Sequence, residues 1–172
     1  MTTIRRRALL AAGAILPLPA LGQPAWPARP IRLVVPFAPG GTTDIVARIL
    51  SQHLTERLGQ AVVVENRPGA GATLAATQVA QAAPDGHTLM ISNSASQGIS
   101  PSLFRNLRYD SMADFTHVAL AATTSTAIVV NPRHEAQTLP DLIRIGRARP
   151  DGLDFAISGH GTTTHLLGMR IA

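Results

Sequence analysis

The sequence contains no cysteine and no lysine. The first absence excludes disulfides, thiolate nucleophiles and cysteine metal sites. The second excludes a phosphate-gripping Walker lysine and a Schiff base, since every basic residue is arginine. Charge is sparse as well. Fifteen arginines face ten acids, and three of those arginines, Arg5, Arg6 and Arg7, fall in an N-terminal leader. The twelve that remain leave a net charge of about +2, which is no footprint for nucleic acid. Catalytic signatures are missing too. Ser158-Gly159-His160-Gly161 has no glycine ahead of its serine, so it is not a nucleophile elbow. His160 and His165 stand five apart with no carboxylate near them in sequence, which argues against a metal site. No acid–base pair stands out, and neither a metal nor a cofactor is expected.

What is present begins with a leader. Residues 1–25 join a basic start to a short apolar run, Ala8 to Leu16, that Pro17 and Pro19 break. Ala20-Leu21-Gly22 resembles a small-residue cleavage site, and the whole reads as a secretory signal peptide. Arg5 stands where a twin-arginine signal has Ser or Thr, which favours the Sec route over the Tat route. The apolar run is short for a membrane span, and no later run is longer. The expected product begins near Gln23 and is exported to the periplasm.

The rest is organised around Ile31 to Asp44, IRLVVPFAPGGTTD. An apolar run, a Pro-Gly-Gly turn and a helical pattern predict a strand, a tight turn and a helix start. A helix start leaves N–H groups unpaired and carries the positive dipole end, so a carboxylate or phosphate is welcome there. Gly40 and Gly41 let a ligand approach the backbone. Thr42 or Thr43 is the expected N-cap, with Asp44 in the first turn. The plainer reading is an ordinary strand–helix connection.

The same order recurs. Helix one is expected over 43–58, with Val46, Ile49, Leu50, Leu54 and Leu58 on its apolar stripe and Gly59 ending it. A strand over 61–65 precedes the glycine loop 66–72 and a helix over 73–82. Gly69-Ala70-Gly71 lacks the third glycine of a dinucleotide fingerprint, since Leu74 stands there. A third strand, 88–92, empties into the polar run Asn93 to Gly98. Residues 101–114 read as irregular. Apolar runs at 117–121 and 127–131 flank Thr123-Thr124-Ser125-Thr126, a candidate crossing between domains, and Asn131-Pro132 closes the second as a strand. A helix over 139–149, a strand over 153–157, the loop Ser158 to His165 and a helical start at Leu166 complete the chain. Repeated strand, glycine loop and helix predict an α/β fold with a parallel sheet. Ligands of such sheets bind beyond the carboxyl ends of the strands.

Several of these stretches together resemble the substrate-binding proteins of tripartite tricarboxylate transporters, the Bug-type periplasmic proteins. They are Pro30 to Gly41 with Asp44, Val64 to Gly71, Ala83 to Leu89, Val129 to Pro132, and Ser158 to Thr162 with His165-Leu166. The resemblance covers residues 28–172. It implies a type II periplasmic-binding-protein-like fold of two lobes that closes on a small carboxylate, with no enzymatic activity and no cofactor. It implies that one carboxylate group is met through two ordered waters. It assigns Phe37, Gly41, Thr42 and Asp44 to one wall, Ser94 close by, and Gly161, Thr162, Thr163 and His165 to the other. Asn66 to Gly71 shapes or supports the pocket. His160 stands where family members often carry Asn, and Thr163 and Thr164 where they often carry Ser.

Family members are much longer, so the expected product is incomplete: lobe one over 26–122 without its C-terminal return, and the start of lobe two over 123–172. The expected function is capture of a di- or tricarboxylate, acidic amino acid or aromatic carboxylate by an exported monomer, which hands it to membrane transporter subunits. The rival expectations are a non-functional truncated product and a nucleotide-dependent α/β enzyme.

Overall fold

Ile31, Leu33, Val34 and Val35 are fully or almost fully buried, because the strand they form has a neighbour on each side. This strand, β1 (Ile31–Val35), lies between β2 (Val62–Asn66) and β3 (Thr88–Met90). Both pairings are parallel, with Ile31 opposite Val62 and Leu33 opposite Leu89. A central parallel strand is largely covered on both faces, which explains its apolar run, broken only by Arg32, which pairs with Glu65. The computed structural model describes residues 25–171. The leader expected over 1–25 lies, but for its last residue, outside the described residues.

Helices make the crossovers that parallel strands require. Helix α1 (Thr42–Leu58) connects β1 to β2 and ends at Gly59, whose φ of 66° is the left-handed C-cap expected of glycine. Its inward stripe runs through Asp44, Ala47, Leu54 and Leu58. Ile49, expected on that stripe, is instead 53% exposed. Two positions along a helix turn a side chain about 200° away, so a face centred on Ala47 excludes it. Helix α2 (Thr73–Ala80) follows a single 3-10 turn over Ala70–Ala72 and connects β2 to β3.

Beyond β3 the polar run forms a π-helical turn over Ala95–Ile99 that continues into α3 (Ser100–Leu103). Pro101 sits in the first turn of α3, where its missing N–H costs nothing. The stretch read as irregular over 101–114 therefore starts helical. Helix α4 (Leu139–Ala148) carries a complete capping box between Thr138 and Asp141. Helix α5 (Thr163–Ile171) starts three residues earlier than the apolar pattern indicated.

Two further expectations fail. The runs at 127–131 and 153–157, expected as strands, are not strands, and the apolar run at 117–121 is irregular as well. Val118, Leu120 and Val129 are each more than four-fifths exposed. A β-rich composition marks a strand only where another backbone edge offers the ladder its partners. Among the described residues no edge pairs with these segments. The third strand is likewise shorter than 88–92, ending at Met90. No helix of the described residues is long and apolar enough to cross a membrane.

Candidate ligand-binding site

Because the three strands are parallel, the turns after β1, β2 and β3 all leave the sheet at one rim. The first turn, Pro36 to Gly41, bends at Gly40, whose φ is 86°. Gly41 is the N-cap of α1 and has extended backbone. Neither Thr42 nor Thr43 caps the helix, because both already lie inside it. No side chain caps this helix start, and Gly40, Gly41 and Thr42 are exposed. The orphan N–H groups of a first turn thus open on solvent at the rim.

Asp44 does not point outward with them. It is 2% exposed. Its Oδ2 accepts from the Gly40 amide at 2.9 Å and from Arg48 Nε at 2.9 Å. Its Oδ1 accepts from Asn66 Nδ2 at 2.9 Å. Asn66 also donates to the Phe37 carbonyl at 3.0 Å, tying the first turn to the end of β2. The Arg48 guanidinium, then the Gly40 amide and Asn66, hold the Asp44 carboxyl down at about 2.

The second turn brings Gly69 to Ala72 to the rim. The third is shaped by Asn93, whose Oδ1 accepts from the amides of Ala95 at 3.1 Å and Ser96 at 3.3 Å. Tyr109 donates its hydroxyl to the Ser96 carbonyl from below. Ser94, on the outer side of this turn, is exposed.

The distant corner, Ser158 to His165, is built by its own hydroxyls. Thr162 is 3% exposed and donates to the Gly159 carbonyl at 2.6 Å. It also contacts Thr164 Oγ1 at 2.9 Å and accepts from the His165 amide at 3.4 Å. The Gly161 amide donates to His165 Nδ1 at 3.3 Å, so that nitrogen is an acceptor and the ring proton sits on Nε2. The rings of His160 and His165 meet edge to face at 5.0 Å.

This corner lies against the rim. Ser94 Oγ is 2.9 Å from Thr163 Oγ1. A Cβ on Gly71 would stand 2.4 Å from the His160 carbonyl oxygen, so only glycine permits that approach. A Cβ on Gly161 would stand 3.1 Å from Leu103 and 3.3 Å from Phe104. Of the expected residues, Ser94, Gly161, Thr162, Thr163 and His165 are therefore gathered at one place. Phe37, Gly41 and Thr42 sit on the same rim, with Asp44 buried behind them. Arg48 is the member sequence reasoning missed. Its signal was the i, i+4 spacing from Asp44.

Two hollows accompany the rim. One of about 220 Å³ lies between Thr42 and Thr43, the end of β3 at Met90 to Asn93, and residues 119–124. The other, about 500 Å³, is apolar, lined by Ile128, Leu142, Leu153, Phe155 and Leu167 among others. Of the hydroxyl corner only Thr164 reaches it, so it is not the hollow of the rim. Among the described residues no three His, Asp or Glu converge as metal ligands.

Comparison with known proteins bears on the family and the fold. The profile of the tripartite tricarboxylate transporter family receptor matches residues 46–172. Protein BugT of Bordetella pertussis is 39% identical over 143 residues, covering 83% of this chain and 44% of BugT. The chain spans about half the length of the curated relatives it matches. A solved structure described as a periplasmic transporter superposes with a TM-score of 0.74 at 36% identity, over 85% of this chain and 49% of that one. Rpa4515 of R. palustris, solved with adipate, gives 0.70 at 35% identity, over 82% and 47%. MatC of Rhodopseudomonas palustris, solved with malate, gives 0.54 at 50% identity, over 56% and 33%. The α/β architecture with its parallel sheet is thus that of periplasmic binding proteins, and the matched family is one of transporter receptors, not of enzymes. By the profile match and by these identities, the chain belongs to the tripartite tricarboxylate transporter receptor family.

Proposed function

We propose that the chain supplies the carboxylate-binding face of a periplasmic receptor that hands its solute to membrane subunits of a tripartite transporter. One observation carries the reading: an uncapped, exposed helix start and two hydroxyl-bearing corners share a single rim, and Ser94 meets Thr163 across it. Helix-start amides and hydroxyls are donors, and a carboxylate needs donors. Phe37, Gly41 and Thr42 form one wall, Ser94 lies beside it, and Gly161, Thr162, Thr163 and His165 form the other. Asp44 belongs to the first wall from behind. The relatives solved with malate and adipate make a small dicarboxylate the first solute to test. The division into lobes at about residue 123, export by a leader and a monomeric state are parts of the same proposal. Titration calorimetry with adipate, malate, glutamate and benzoate tests it. Binding of at least one supports it, and no heat with any of them refutes it.

A second reading has an observation of its own. Val118, Leu120 and Val129 are exposed on segments without a ladder, as in a chain that needs further polypeptide to become a working receptor. A broad, non-cooperative melt followed by far-UV circular dichroism favours that reading, and a sharp one opposes it.

A further inference from the structure

The first turn is held by side chains outside it: Asp44 is buried, Asn66 half-buried and Arg48 exposed. Between Phe37 and Gly40 the backbone has two anchors. The Phe37 carbonyl accepts from Asn66 Nδ2 at 3.0 Å, and the Gly40 amide donates to Asp44 Oδ2 at 2.9 Å. The anchors are joined, since Asn66 Nδ2 also donates to Asp44 Oδ1 at 2.9 Å. Arg48 closes the group, with Nε at 2.9 Å from Asp44 Oδ2 and Nη2 at 3.5 Å from Asn66 Oδ1. Two of these bonds end on the turn's own backbone, and the others join Asp44, Asn66 and Arg48, which lie outside the turn.

The chemistry of Asp44 separates it from a ligand contact. An ionised carboxylate only accepts hydrogen bonds, so it offers nothing to a ligand carboxylate. Left alone near a helix start, it would also compete with that ligand for the positive dipole end. Arg48 offsets this by placing a guanidinium against the same oxygen that holds Gly40. Gly40 itself has a φ of 86° and open space where a Cβ would be, so no packing fixes the turn there. Its shape depends on the two anchors.

We propose that Asp44 and Asn66, with Arg48 as their counter-ion, are positioning residues: they fix the Phe37–Gly41 backbone so that its outer face and the α1 start present donors to the solute. This deepens the receptor function proposed above and rests on it for the identity of the solute, while the clamp itself rests on the geometry alone.

Amide hydrogen exchange of the full chain without ligand tests the clamp. In Asn66→Ala and Asp44→Ala the Gly40 amide should exchange at least tenfold faster than in the wild type, while the amides of Leu33 to Val35 keep their protection. Asp44→Asn, which retains an acceptor but loses the Arg48 pair, should fall between. A merely structural role raises exchange in β1 and the turn together, and that result overturns the proposal. Unchanged exchange at Gly40 in both alanine variants overturns it as well. Calorimetry with adipate on the same proteins separates the two claims. If the wild type binds adipate, Asn66→Ala should weaken it at least fivefold, and equal affinity of the two counts against positioning. If the wild type binds nothing, the carboxylate assignment falls, and exchange at Gly40 still decides the clamp.

Discussion

Ser94 and Thr163 are 69 positions apart in the chain, yet their hydroxyls lie 2.9 Å from each other. One sits in the turn after β3 and the other in the first turn of α5, so this bond ties the last corner to the rim. Both side chains are exposed, so water competes for each. Ser94→Ala and Thr163→Ala should each lower stability by about 0.5–1 kcal/mol, and the double variant by little more than one of them. Urea melts of the four proteins measure the coupling. Strict additivity shows that the bond does not hold the two corners together.

Gly71 and Gly40 both have positive φ, 62° and 86°, but their surroundings differ. An added Cβ at Gly71 meets the His160 carbonyl at 2.4 Å, and backbone cannot swing aside as a side chain can. At Gly40 it meets nothing within 4 Å. Gly40→Ala should therefore cost about 1 kcal/mol, from the backbone conformation alone. Gly71→Ala should cost about 1–3 kcal/mol more and move the Ser158–His165 corner off the rim. Thermal melts give the first comparison, and loss of the Ser94–Thr163 coupling in a Gly71→Ala background gives the second.

Acid should destabilise the fold in a defined window. The Asp44 carboxyl is held at about 2 by Arg48 first, and then by the Gly40 amide and Asn66. The Asp85 carboxyl is held at about 2 by the His87 amide and then by Arg29. A carboxyl whose folded value is depressed contributes stability above its unfolded value, about 3.9, and loses it as pH falls toward the folded one. Stability should hold from pH 7 to about 5 and then decline toward pH 2. Denaturant melts across that range measure it, and Asp44→Asn should flatten the decline. A flat wild-type profile contradicts these two ion clusters.

The capping box of α4 offers a control. Thr138 Oγ1 accepts from the Asp141 amide, and Asp141 Oδ2 accepts from the Thr138 amide. Thr138→Ala should cost about 1 kcal/mol of stability. The box makes no contact with the rim, so calorimetry should find any carboxylate affinity unchanged.

The sheet and its crossovers were legible because local rules sufficed. Ile31 to Val35 carries the apolar run of a strand covered on both faces, Gly59 stops α1, and Thr138 with Asp141 starts α4. The runs at 127–131 and 153–157 misled for a physical reason: their composition suits a strand, but pairing is a property of two segments, and one segment's sequence cannot supply the other. The helix start at Thr42 misled differently. Two threonines suggested a cap, whereas the acid one turn inward, Asp44, serves the preceding turn by accepting from Gly40.

The sequence by itself determined the central buried strand, where the chain must turn, and that the turns would be lined by glycine and hydroxyls, because backbone freedom and side-chain chemistry are set residue by residue. Only the tertiary structure decided that Asp44 faces Asn66 and Arg48, that Gly71 lies under the His160 carbonyl, and that Ser94 meets Thr163. Arg48 stands one turn from Asp44 on the same helix, but the other contacts join segments far apart in the chain. Parallel strands pointing to one rim bring them together, and no local pattern of residues records which donor will find which acceptor.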